Sequence, residues 1–108
     1  MYFLNITEIA EEDISLAVKY IAHELKAPLA AINLLDEIEK HEGILEMTPN
    51  IYPFVHDGYL INFGIKFVVI KNYFMFYFVN EETKTVNVIR LLFGRRDWKN
   101  LLKENILN

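Results

Sequence analysis

The chain has 108 residues and a net charge of −4, the length of one domain with one core. It has no cysteine, which excludes disulfides and thiolate chemistry, and its apolar fraction of 53%, with eight Phe, six Tyr and one Trp, excludes a disordered chain. The charge is uneven: residues 1–50 carry three Lys against ten acids, a net −7, and residues 51–108 carry eight cations against five acids, a net +3. An acidic first half repels polyanions, so a general nucleic-acid binder is not expected; the second half can meet phosphate.

In chain order, Tyr2 to Ile6 is rich in β-formers and predicts a first strand. Thr7 can cap the helix that follows, and Glu8, Glu11, Glu12 and Asp13 suit its positive end. Ile14, Ala17, Val18, Ile21 and Leu25 form one apolar stripe, so this helix should run to about Leu25. Pro28 fits the first turn of a second helix, buried through Ala31, Leu34, Leu35, Ile38 and Leu45. The two helices predict an antiparallel hairpin.

Thr48 to Gly58, with Pro49 and Pro53, reads as a loop pinned by Tyr52 and Phe54. Tyr59 to Asn62 reads as a short edge strand or irregular chain. Gly64 to Lys71 and Tyr73 to Val79 read as strands, and Asn80 to Lys84 as a hairpin turn before a last strand. In that last strand Val86, Val88 and Leu92 are expected on one face with Arg90, opposite Ile89, Leu91 and Phe93. Gly94 should end the strand by adopting backbone angles closed to other residues. Asp97 should then cap a helix beginning at Trp98. The expected architecture is α+β: an N-terminal strand, a helix hairpin packed on an antiparallel meander sheet, and a short C-terminal helix, all in a single domain over residues 1–108.

Tyr73 to Val79 is apolar on both faces, with Tyr73, Met75 and Tyr77 on one side and Phe74, Phe76 and Phe78 on the other. Two helices cover one face. The other needs the C-terminal helix and the loop, or a partner, and Tyr73, Met75 and Tyr77 are the interface candidates.

Metal spacing and a phosphate-cradling glycine loop are lacking, and no cofactor is expected. His23, His41 and His56 are scattered, and no Ser/His/Asp arrangement can be argued. No catalytic residue is assigned: Tyr73 and Tyr77 could serve as acids, but in an apolar strand they read as core. The cations are Lys66, Lys71 and Arg90 on the sheet and Arg95 and Arg96 at the strand exit. Arg90, among apolar neighbours, calls for a carboxylate or carbonyl partner. Arg95, Arg96 and Trp98 are the candidates for contact with a target.

The segments FLNITEIAEEDI, AAINLLDEIEK, NIYPFV, NYFMFYFV and VIRLLFGRRDWKNLL resemble the RelE/ParE family of bacterial toxins from type II toxin–antitoxin systems, also called plasmid-stabilisation proteins. The resemblance spans roughly residues 3 to 102. It implies a cytoplasmic toxin, away from membranes, that a cognate antitoxin neutralises. It also implies one of two targets: DNA gyrase, as in ParE-like members, or messenger RNA on the ribosome, as in RelE-like endoribonucleases. A third outcome is a non-toxic member that retains its antitoxin interface. Against the RelE-like pattern, Arg95 and Arg96 match the basic pair after the glycine and Lys66 a sheet lysine. Phe74 stands at an expected arginine, and Leu102 near an expected tail tyrosine. The ParE-like reading, inhibition of a protein target, follows from those departures.

Overall fold

The computed structural model describes residues 1–107. Strand β1 is Phe3–Ile6 and helix α1 is Glu8–Lys19. Thr7 Oγ1 accepts the Ala10 N–H and so caps α1. The helix then widens into a π-helical turn, Tyr20–Glu24, closed by Leu25 N–H donating to the Tyr20 carbonyl. The wider turn shifts the phase of the apolar stripe, so Leu25 comes out 56% exposed instead of joining the core. Lys26 follows at φ 51, and α2 runs from Pro28 to Met47, through Gly43.

The sheet contains β2 (Lys66–Ile70), β3 (Tyr73–Asn80) and β4 (Thr85–Phe93), in the order β1-β4-β3-β2. Neighbours β2, β3 and β4 pair antiparallel, and β1 adds to β4 in parallel. Tyr59 to Asn62 gives no strand: Leu60–Phe63 is a 3₁₀ turn, started by Asp57, whose carboxylate accepts the N–H groups of Tyr59 and Leu60. Helix α3 is Trp98–Leu107.

Two cores sandwich the sheet. The helix hairpin covers one face through Ala10, Ala17, Leu34, Ile38 and Leu45, packed with Met75, Tyr77, Val86, Val88 and Leu91. The loop and α3 cover the other through Val55, Leu60 and Leu102, packed with Phe76 and Leu92. Of the two ways to close the second face, the chain therefore uses its own loop and helix. In that loop it is Val55, 1% exposed, that is sunk into the core, whereas Phe54 stays 46% exposed.

The alternation expected for β4 fails at one point. Phe76 pairs with Arg90 and Tyr77 with Val88, which leaves Ile89 as an extra residue. Such a bulge reverses the faces beyond it. Val88 and Leu91 thus lie in the hairpin core, while Leu92 lies in the other, not beside Val88.

Gly94 also differs from expectation. Its backbone is not among the positive-φ positions. What glycine allows there is close approach: a Cβ would stand 3.3 Å from both the Asn72 carbonyl oxygen and the Phe74 ring. Gly94 N–H donates to that same carbonyl at 2.8 Å.

Candidate functional site

Arg90 lies where the two layers meet. Its Nε and Nη2 donate to the Asp13 carboxylate at 2.7 and 3.0 Å, and its Nη1 donates to Asn105 Oδ1 on α3 at 3.0 Å. Asp13 also accepts the Leu91 N–H at 3.0 Å. The two side chains are 12% and 10% exposed, so this is a nearly dry, bidentate pair. The sequence called for a partner to Arg90; α1 supplies it.

Lys66 is buried as well. Its Nζ donates to the Tyr52 carbonyl at 2.9 Å and sits 3.8 Å above the Phe54 ring. Burial pushes its ammonium below the usual lysine range. Of the three sheet cations only Lys71 is exposed, at φ 56 in the β2–β3 turn.

The interface candidates separate. Met75 and Tyr77 are 0% exposed and lie beneath the helices, so neither forms surface in this fold. Tyr77 Oη donates to the Pro49 carbonyl at 2.6 Å, and burial, with Tyr52 nearby, pushes its phenol far up. Their alternation put them on one face correctly, but that face is the one the hairpin covers. Tyr73 is half-buried, and burial, with a smaller effect from Tyr20, raises its phenol also.

The target-contact candidates separate too. Arg95 and Arg96 are exposed in the turn after β4. Trp98 is half-buried, its ring 5.3 Å from Phe76 and 6.3 Å from Phe74. The indole mainly fastens α3 to the sheet.

Tyr73 borders a cleft of about 730 Å³ between the hairpin and the end of the sheet. Leu16, Tyr20 and Leu25 line it from α1 and the π turn, Leu34 from α2, and Leu91 and Phe93 from β4; Lys71, Asn72 and Arg96 stand at its sheet side. The size and apolar lining suit a binding site. Sequence reasoning missed it because four separated segments build it. One signal was present: Leu16 is apolar yet off the buried stripe of α1, and it is 65% exposed. Around Arg96 the polar groups along α3 are Asp97, Asn100, Lys103 and Glu104. Among the described residues no histidine lines the cleft or these depressions, and no group of three His, Asp or Glu could hold a metal ion. No helix among them is long and apolar enough to cross a membrane.

This architecture has known relatives. A chain of the chromosomal ParDE TA system from P. aeruginosa superposes with a TM-score of 0.67 at 15% identity, over 86% of this chain and 96% of that one. A chain of the RelBE2 toxin–antitoxin complex from Mycobacterium tuberculosis gives 0.58 at 20%, over 85% and 96%. A chain of the intact E. coli RelBE toxin–antitoxin complex gives 0.57 at 16%, over 89% and 100%. At these identities the likeness speaks for the fold. No curated protein sequence matches the chain. The family model described as the ParE toxin of the type II toxin-antitoxin system, parDE, matches residues 4–98. With nearly the whole chain spanned by that match and the α+β sandwich shared with these toxins, the chain belongs to the ParE toxin family of type II toxin–antitoxin systems.

Proposed function

We propose that this toxin acts by binding a protein target such as DNA gyrase, and that a cognate antitoxin neutralises it. The observation that carries the reading is the state of the sheet cations. Arg90 is held by Asp13 and Asn105, and Lys66 is buried against Tyr52 and Phe54. Neither is presented to a phosphate backbone, and α3 with the loop covers the sheet face on which Phe76 and Leu92 lie.

RNA cleavage also requires proton transfer at the attacking and leaving oxygens, each positioned group contributing about 10²–10⁴-fold. Arg95 and Arg96 can stabilise charge, but a guanidinium is a poor proton shuttle. Tyr73, at the cleft, holds its proton more tightly than a free tyrosine. A protein target needs only an exposed basic patch with apolar surface beside it, and Arg95, Arg96 and the cleft provide that.

Inducible expression tests this, with DNA supercoiling and transcript ends read in the same culture. Altered supercoiling with intact transcripts is expected, weakened in Arg96→Ala. Codon-positioned cuts that vanish in Arg96→Ala, with supercoiling unchanged, would establish the ribonuclease instead. Normal growth at full expression of folded protein would identify a member that has lost toxicity.

A further inference from the structure

Strand β4 outruns its neighbour. β1 ends at Ile6, opposite Val88, so beyond Val88 that side of β4 has no strand beside it. Side chains take over there. Thr7 Oγ1 donates to the Ile89 carbonyl at 3.3 Å, and the Asp13 carboxylate accepts the Leu91 N–H at 3.0 Å. Thr7 caps α1 and Asp13 lies in its second turn, so the start of α1 seals this open edge. The bulge at Ile89 falls at the same point. Leu91 turns into the hairpin core, whereas Arg90 pairs with Phe76 and starts from the face of the second core. Its guanidinium then bridges the two layers, with Nε and Nη2 on Asp13 of α1 and Nη1 on Asn105 of α3.

The helix α3 can come away as a unit. It has ten residues, too few for a stable helix alone in water, so it holds its shape only while docked. Trp98, Leu101, Leu102 and Ile106 give it an apolar footing in the second core. Among the described residues two polar ties join it to the loop and the sheet. Lys103 Nζ lies 3.5 Å from Asp57 Oδ1, a contact that stays on α3's own side of the sheet. The bond from Arg90 to Asn105 is different, because its donor is a charged group aimed by a carboxylate of the other layer. Without Asp13 the guanidinium would be a buried cation facing one neutral oxygen. It would turn towards water and take the Asn105 bond with it.

We infer that Arg90 couples the two faces of the sheet: the placement of Asp13 on the hairpin side sets how firmly α3 is docked on the other. The two states are α3 docked and α3 released, and release uncovers Phe76 and Leu92. Asp13 also lines the cleft, so a displacement of α1 at the cleft loosens α3. The coupling runs equally in reverse, as a coupling free energy must, and loosening Asn105 frees Asp13. It belongs to the chain alone and is independent of the toxin's target.

Native-state hydrogen exchange of the full-length chain, followed amide by amide, reads both sides. The Leu91 N–H, bonded to Asp13, reports the hairpin side, and the amides of α3 report its docking. The Phe76 amide, in the middle of the sheet, reports global opening, and every rate is corrected by it. Asn105→Ala should speed the Leu91 amide about tenfold, although Asn105 is bonded to Arg90 and not to Asp13. Asp13→Asn should speed the α3 amides about tenfold or more and shift the emission of Trp98, the single tryptophan, towards that of an exposed indole. Lys103→Ala cuts the other tie; it should speed the α3 amides and leave Leu91 as in the parent. Asn105→Ala removes one bond from a half-buried residue, so it carries the test should Asp13→Asn fail to fold. An unchanged Leu91 rate in Asn105→Ala, or unchanged α3 rates in a folded Asp13→Asn, would overturn the coupling. Equal acceleration of Leu91 by Lys103→Ala would overturn the role of Arg90 and assign the effect to packing.

Discussion

Replacing Arg90 with Met is expected to destabilise the sheet by leaving a buried carboxylate without its cation. The substitution keeps the aliphatic stem and removes the guanidinium. Asp13, 10% exposed, is then left with the Leu91 N–H as its remaining partner. Removing one member of a buried pair costs about 3–5 kcal/mol. The surviving N–H bond and slight exposure favour the lower end, about 3 kcal/mol. For a domain of this size that lowers the midpoint by roughly 12–20 °C in a thermal melt followed by circular dichroism. The double variant Asp13→Leu with Arg90→Met should recover most of the loss, because an apolar pair of similar volume needs no desolvation. It should remain about 1–2 kcal/mol below the parent, since the Leu91 N–H is then unpaired. Urea titrations of all four proteins complete the cycle and give the coupling energy. Because the pair is nearly dry, the Arg90→Met loss should persist in high salt. A midpoint within about 3 °C of the parent, or a double variant as unstable as the sum of the singles, would refute the reasoning.

Three further outcomes are expected. Tyr77→Phe should cost about 1–2 kcal/mol in urea unfolding, because the buried Pro49 carbonyl loses its phenolic donor; an unchanged midpoint would show that the carbonyl finds another partner. Gly94→Ala should cost about 1–2 kcal/mol in the same assay, as its Cβ crowds the Asn72 carbonyl and the Phe74 ring. Glu42→Gln should raise the melting temperature at neutral pH: burial first, then Glu39 and Glu46, raise the Glu42 carboxyl, so its ionised form opposes folding. That penalty is relieved as pH falls through the raised value, so the variant's advantage should vanish below about pH 4; a constant advantage across pH would exclude the electrostatic cause.

The elements were legible where one period ruled. Pro28 opens α2 as its position in the sequence implied, and the three antiparallel strands fall within two residues of their expected bounds. The bulge was hidden because β4 is apolar on both faces, so a shift of one residue leaves no polar residue misplaced; Arg90 alone marked the place. The 3₁₀ turn at Leu60–Phe63 was masked by residues that also suit a strand. At the site, the exposed pair Arg95 and Arg96 was readable from its position after Gly94. Met75, Tyr77 and Trp98 were placed on the correct elements, but which elements would cover them depends on tertiary packing that alternation does not encode. The cleft joins residues from Leu16 to Arg96, and periodicity within one segment carries no information about such a meeting.

Lys71 takes a left-handed conformation, φ 56, at the edge of the cleft, a backbone state glycine adopts freely and other residues adopt at a cost of about 1–2 kcal/mol. Lys26, next to the lining residue Leu25, does the same at φ 51. Neither strained turn is at its most stable composition. At Lys71 the rim of the cleft therefore gives up conformational stability at a position that carries a long cationic side chain. A campaign that optimised this domain for heat resistance would replace those two lysines early, and would select a hardier protein with a less positive cleft.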